Sequence, residues 1–179
     1  MPAPGMRRAR AGLWQGMRLL SKRVGLLVAV VMLVGCDHAT KYAAKSELEA
    51  RPPRQLVASV LELRYVENRD VAFNLLAAVP PAVRAPLLLT LGGLAIVALT
   101  VMLMRSRAAA SERMALALLL AGAAGNYLDR VARGYVVDFI HVPHWPVFNV
   151  ADALVVAGVA LLGLSRLRAS GAARPASPS

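Results

Sequence analysis

Residues 125–152, GNYLDRVARGYVVDFIHVPHWPVFNVAD, decide how the rest of the chain is read. The stretch lies between two strongly apolar segments, yet it carries Asn126, Asp129, Arg130, Asp138, Asn149 and Asp152. An ionisable side chain at the centre of a membrane helix costs roughly 2.5–3.5 kcal/mol on insertion scales, so it persists mainly where it faces a protein interior and serves a purpose. Asp138 and Asp152 each follow a short apolar run and can meet across a turn. Two facing carboxylates, one ionised as general base and one protonated as general acid, are the apparatus of aspartyl hydrolysis.

Composition supports a membrane setting. The 179 residues are 58% hydrophobic, and long apolar runs in so short a chain indicate a polytopic membrane protein rather than a soluble domain with a large core. The net charge of +11 does not point to nucleic acid, because the basic residues are sorted by position. Arg7, Arg8, Arg10, Arg18, Lys22 and Arg23 precede the first apolar run, Arg105, Arg107 and Arg113 share one connection, and Arg166, Arg168 and Arg174 follow the last run. That is the positive-inside pattern of a membrane protein. Five of the ten acids (Glu47, Glu49, Glu62, Glu67 and Asp70) lie in one polar segment, and Asp37, Asp129, Asp138 and Asp152 lie at or beside apolar segments.

In chain order, residues 1–23 form a basic cytoplasmic tail, residues 24–168 a four-helix membrane domain and residues 169–179 a disordered tail of Ala, Ser, Pro and Gly. The spans are read at 24–44, 85–104, 114–128 and 148–164. In the first, Asp37 and Lys41 stand four residues apart, a spacing at which opposite charges pair on one helix face. The same segment also matches a signal peptide ending in a lipobox, with Leu33-Val34-Gly35-Cys36 closing a 13-residue apolar run, in which Cys36 would be lipidated. Three further spans favour an uncleaved helix with Cys36 as a buried small residue, and a lone cysteine implies no disulfide. Residues 45–81 are the one sizeable polar segment. There Leu61, Leu63 and Tyr65 alternate with Glu62 and Arg64, which predicts a strand in a small extracytoplasmic sheet between helices 1 and 2, followed by a turn at Glu67-Asn68-Arg69-Asp70 and then Val71-Ala72-Phe73. Four spans with both termini cytoplasmic bring Asp37, the sheet, Asp129, Asp138 and Asp152 to the outer face. Asp129 is expected to pair with Arg130 and close the third span, Asn126 and Asn149 to hold the carboxylates or satisfy backbone groups, and Trp145, Arg133 and Tyr135 to sit at the membrane interface. His38, His141 and His144 lack a metal-ligand arrangement.

Five motifs follow one another in order: Asp37-His-Ala-Thr-Lys41, Asn68 with Ala72-Phe73, Gly125-Asn126-Tyr-Leu-Asp129-Arg130, Val137-Asp138-Phe139 and Phe148-Asn149-Val-Ala151-Asp152. Together they resemble the lipoprotein signal peptidases (signal peptidase II), four-helix bacterial membrane aspartyl peptidases, over about residues 24–165. The resemblance implies an aspartic endopeptidase of the bacterial inner membrane with Asp138 and Asp152 as its catalytic pair. Asp37, Lys41, Asn68, Asn126, Asp129, Arg130 and Asn149 match the family's other polar positions. It further implies a diacylated prolipoprotein substrate reached from the lipid bilayer, no metal or organic cofactor, no nucleic acid and a monomeric enzyme. One departure stands out: the family usually has Asn-x-Gly-Ala-Ala-Phe where this chain has Asn68-Arg69-Asp70-Val71-Ala72-Phe73. Glycine adopts positive φ at no steric cost, and aspartate is among the few other residues that visit that region. Two alternatives stay open at this level, a proton- or ion-translocating protein and a non-catalytic prolipoprotein-binding paralogue.

Overall fold

The apolar runs form four helices in the computed structural model, which describes residues 4–57, 60–70, 78–106 and 108–172. Helix α1 spans Pro4–Leu48, α2 Pro81–Arg105, α3 Ala110–Arg133 and α4 Val150–Ala172. Strands β1 (Arg54–Val57) and β2 (Leu61–Asn68) lie between α1 and α2, and β3 (Val136–His141) lies between α3 and α4. They make one antiparallel sheet in the order β1-β2-β3.

Among the described residues, three helices are long and apolar enough to cross a membrane, over Arg23–Leu48, Pro81–Arg105 and Val150–Ala169. Their apolar windows are only 17%, 6% and 11% buried inside the protein, so most of that surface needs an apolar surrounding. Val31, Met32, Leu94, Val97, Val156 and Val159 are among the exposed side chains. Helix α3 differs, carrying Glu112 and Arg113 in its first turn and Asp129, Arg130 and Arg133 near its end. It is the central helix, packed against α1, α2 and α4. Its inward face is built of small residues, including Ala115, Ala117, Ala121 and Gly122. In lipid, where apolar surface gains nothing by leaving the solvent, small residues let backbones approach closely enough to pack. A Cβ at Gly158 of α4 would stand 3.0 Å from the Ala115 carbonyl oxygen and 2.8 Å from Leu119 Cγ, so the α3–α4 crossing requires glycine there.

Several element bounds differ from those read in the sequence. The helix of the first span begins at Pro4 rather than residue 24, and α4 runs on to Ala172, so residues 169–172 of the expected tail are helical. Cys36 is exposed, not buried. It lies one turn after Met32, on the same outward stripe of α1. The sheet does not belong wholly to the segment between helices 1 and 2, because its third strand comes from Val136–His141. Val136, Val137, Asp138 and Phe139 are all buried, so the alternation that marks a half-exposed strand is missing. The turn expected at 67–70 also starts later, since Glu67 and Asn68 still pair with Val137 and Val136. Val71, Ala72 and Phe73 lie outside the described residues.

One sheet face packs on the end of α1, where Val137 and Phe139 join Ala44 and Leu48. The other face carries Asp138 beside Val136 and looks toward α4. Gly134, with φ of 78°, ends α3 in the left-handed conformation that glycine adopts freely, and so turns the chain into β3.

Candidate active site

The site is assembled where the sheet meets the ends of α1, α3 and α4. Register places Val66 opposite Asp138 and Asn68 opposite Val136, which puts Asn68 and Asp138 on one face as diagonal neighbours. Asn68 Nδ2 donates to Asp138 Oδ2 at 2.8 Å. After β3 the chain turns through His144, which holds a φ of 65°, and Phe148 then pairs back to Ile140. That return delivers Asn149 to the other oxygen of Asp138, with Nδ2 donating to Oδ1 at 2.6 Å.

Asn149 also begins α4. The Asp152 amide donates to Asn149 Oδ1 at 3.0 Å, and the Asn149 amide donates to Asp152 Oδ2 at 3.2 Å. This is a reciprocal capping box with Asn at the cap and Asp three residues on. The sequence Asn149-x-x-Asp152 therefore fixes one carboxylate by helix-capping chemistry and the other by the cap's spare amide hydrogens. The remaining oxygen of Asp152, Oδ1, accepts from Asn126 Nδ2 of α3 at 2.7 Å.

Behind the carboxylates lies a buried ionic core. Lys41 is fully buried and reaches Asp37 Oδ2 at 2.8 Å, Asp129 Oδ2 at 2.9 Å and Asn126 Oδ1 at 2.9 Å. An ammonium has only donors, so its contact with Asn126 Oδ1 forces the Asn126 amide nitrogen toward Asp152. Asp37 Oδ1 accepts the Ala151 amide at 2.9 Å and so satisfies an open donor in the first turn of α4. Gly125 makes room for this arrangement, since a Cβ there would lie 2.6 Å from Asp37 Oδ2.

The Asp129–Arg130 pair expected from the sequence does not form. Asp129 instead accepts from Lys41, from Arg133 Nη1 at 3.0 Å and from the Val137 amide at 3.4 Å. Adjacent helix residues point about 100° apart, whereas Arg133, one turn on, shares the face of Asp129. Arg130 turns the other way and donates to the Asp70 carbonyl at 2.9 Å. Arg133 thus joins the ionic core through Asp129, and Tyr135 accepts from Lys45 Nζ at 3.2 Å beside the sheet.

Asp138 and Asp152 both line one open cavity of about 680 Å³. Its wall is apolar along Val147, Phe148, Val155 and Val156 and cationic at Arg69, Arg84 and Arg130. Among the described residues, no lysine or arginine makes an ion pair with either carboxylate: Lys41 is paired with Asp37 and Asp129, Arg84 with Asp70 and Arg69 with Glu67, while Arg130 donates to the Asn126 and Asp70 carbonyls and faces the two carboxylates as an unpaired neighbouring charge. Burial pushes the Asp138 carboxyl up to about 6; the Asn68 hydrogen bond opposes that rise and the charge of Asp152 adds to it. At mildly acidic pH Asp138 can therefore carry the proton that an acid-and-base pair of carboxylates needs. Every site residue read from the sequence is in this assembly. Arg84 and Trp145 also line the cavity, and neither was singled out for it. For Arg84 no local signal exists, because α2 brings it there from a distant part of the chain, whereas Trp145 sits in the quoted stretch between two prolines.

The profile of the family described as signal peptidase (SPase) II matches residues 28–168. The lipoprotein signal peptidases of Geobacter metallireducens and Syntrophotalea carbinolica are each 36% identical to the chain, over 153 and 157 residues. These alignments cover 82% and 85% of this chain and 91% and 96% of the two relatives. A bacterial membrane enzyme solved by the in meso method at 2.3 Å resolution superposes with a TM-score of 0.75 over 86% of this chain and 94% of its own, at 24% identity, a likeness of fold alone. A second bacterial membrane enzyme, solved at 1.9 Å, gives a TM-score of 0.70 at 26% identity over 79% and 92% of the two chains.

Proposed function

The chain belongs to the signal peptidase II family, and from that membership we propose that it is an intramembrane aspartyl endopeptidase that removes signal peptides from diacylglyceryl-modified prolipoproteins. The observation that carries this reading is the pair Asp138 and Asp152, two carboxylates on one cavity, held by asparagine amides and not neutralised by a cation. One ionised carboxylate takes a proton from water, which attacks the carbonyl carbon before the lipidated cysteine. The protonated partner stabilises the developing oxyanion and then assists departure of the amine. Asn68, Asn126 and Asn149 aim the carboxylates, while Asp37, Lys41, Asp129 and Arg133 keep the asparagines in place.

Topology follows from charge. With the basic segments at 7–23, 105–113 and 166–174 on the cytoplasmic side, α3 counts as a fourth span, both termini face the cytoplasm, and the site opens near the outer face of the inner membrane. The apolar wall of Val155 and Val156 then offers a signal helix a way in from the lipid, with its acyl chains left in the bilayer.

The test is a processing assay with matched precursors, one diacylated at its lipobox cysteine and one unmodified. Cleavage of the diacylated form alone, with the new N-terminus at the lipidated cysteine, is the expected result. Binding of that precursor without cleavage would make the chain a non-catalytic paralogue.

A further inference from the structure

Asp70 stands where the chain leaves β2, and three ties to other described residues hold it. Its carboxylate Oδ2 lies 3.4 Å from Arg84 Nη1, its carbonyl accepts from Arg130 Nη2 at 2.9 Å, and its amide donates to Asn68 Oδ1 at 2.9 Å. Asp70 is only 4% exposed, and the Arg84 side chain is 18% exposed. Arg84 also donates from Nη2 to the Val79 carbonyl at 2.9 Å, which ties it to the residues just ahead of α2. A largely buried ion pair is costly to assemble and contributes weakly to stability, so its presence at a cavity wall points to a role in geometry.

The geometry is specific. Asn68 has one amide oxygen and one amide nitrogen, and the Asp70 amide takes the oxygen. The nitrogen is thereby left to face Asp138 Oδ2 at 2.8 Å. Displacement of Asp70 would free Asn68 to rotate, and the carboxylate would lose one of the two amides that hold it. We propose that Asp70 and Arg84 are positioning residues, whose ion pair anchors the end of β2 to the start of α2 and so keeps the Asn68 amide on the Asp138 carboxylate. The inference rests on the proposed function only in calling that carboxylate part of the reaction.

The charges around Asp138 are Lys41 from α1, Arg130 from α3 and Asp152 from α4, with Asn68 of β2 and Asn149 as its direct partners. The Asn68 hydrogen bond holds the ionised form, so its loss moves the titration of Asp138 to higher pH. The experiment is a thermal-unfolding series from pH 4 to 8 on the purified full chain in detergent. It compares the parent, Asp70→Asn, Arg84→Gln and the reversed pair Asp70→Arg with Arg84→Asp, each with and without Asp138→Asn. The difference made by Asp138→Asn isolates the titration of that carboxyl and needs no substrate. Each single variant is expected to raise its midpoint by about one pH unit, since a hydrogen bond to a charged group is about that strong. The reversed pair is expected to return the midpoint to within about half of that shift. In parallel, turnover of the diacylated precursor should fall about ten- to a hundredfold in kcat for each single variant, with KM changed less than about threefold. Uniform destabilisation with an unmoved Asp138 midpoint would overturn the proposal, because it would make the pair a structural brace only. A parent that never cleaves the precursor would overturn the proposed function, while the midpoint series would still decide the role of the pair.

Discussion

Asp138 binds its proton more tightly in the folded protein than an ordinary aspartate does, because burial lifts its carboxyl to about 6. Between pH of about 4 and 6 the folded state holds more protons than the unfolded chain, so stability falls as pH rises through that window. Asp138→Asn does not titrate and escapes the loss. Thermal unfolding of the two proteins should give a gap in favour of the variant that widens from pH 4 to pH 7, by up to about 3 kcal/mol; a gap that does not vary with pH would contradict the assignment. Lys41 presents the opposite case. It is fully buried against Asp37 and Asp129, and Lys41→Met leaves two buried carboxylates without their shared cation. The expected loss is about 3–5 kcal/mol, seen as poor accumulation and early unfolding. Asp129→Asn keeps Lys41 paired with Asp37, so it should lower thermal stability more than it lowers turnover of the folded enzyme.

At the scale of elements, α3 acts through what it lacks. A methyl at Gly125 would stand 2.6 Å from Asp37 Oδ2 and 3.2 Å from Ala151 Cβ, at the point where α1, α3 and α4 converge. Gly125→Ala is therefore expected to push Asp37 off the Ala151 amide, with an overpacking cost of about 1–3 kcal/mol. Circular dichroism melts would register the loss, and precursor turnover at matched protein levels should drop with it. Helix α1 makes a second prediction. It runs unbroken through Leu33-Val34-Gly35-Cys36, with the cysteine on its outward stripe. Cys36→Ala should thus yield a full-length, membrane-embedded and active protein. Mass spectrometry of the parent that found a mature chain starting at a lipidated Cys36 would reject that view of the helix.

For the whole molecule, the parts legible in the sequence were those whose chemistry is local. Asp37 with Lys41 announces an ion pair by helical spacing, and Asp138 and Asp152 stand out as carboxylates beside apolar runs, whereas the capping box that joins Asn149 to Asp152 emerges only from the fold. The third strand was hidden because burial on both faces erases alternation; of the two cations on Asp129, Lys41 was hidden because it comes from another helix, whereas Arg133 stands at the i+4 spacing that could have announced it. Arg84 could not be read from its own neighbourhood, since only the tertiary fold carries the start of α2 to the cavity. What unites these parts is one site at the sheet end of the bundle, and its topology predicts external reporters after Ser46 and cytoplasmic ones after Ser106 and Ser170. An external signal after Ser106 would break the four-span account. The central claim is that Asp138 and Asp152 together perform the hydrolysis, and it is tested by turnover of a diacylated precursor with Asp138→Asn, Asp152→Asn and the double variant at matched membrane levels. Each asparagine keeps the size and hydrogen-bonding reach of the carboxyl but cannot ionise. Members of one catalytic unit are grossly non-additive, so either single change should abolish cleavage and the double variant should be little worse than either single. Cleavage within about tenfold of the parent by either single variant would contradict the account and remove that residue from the catalytic pair.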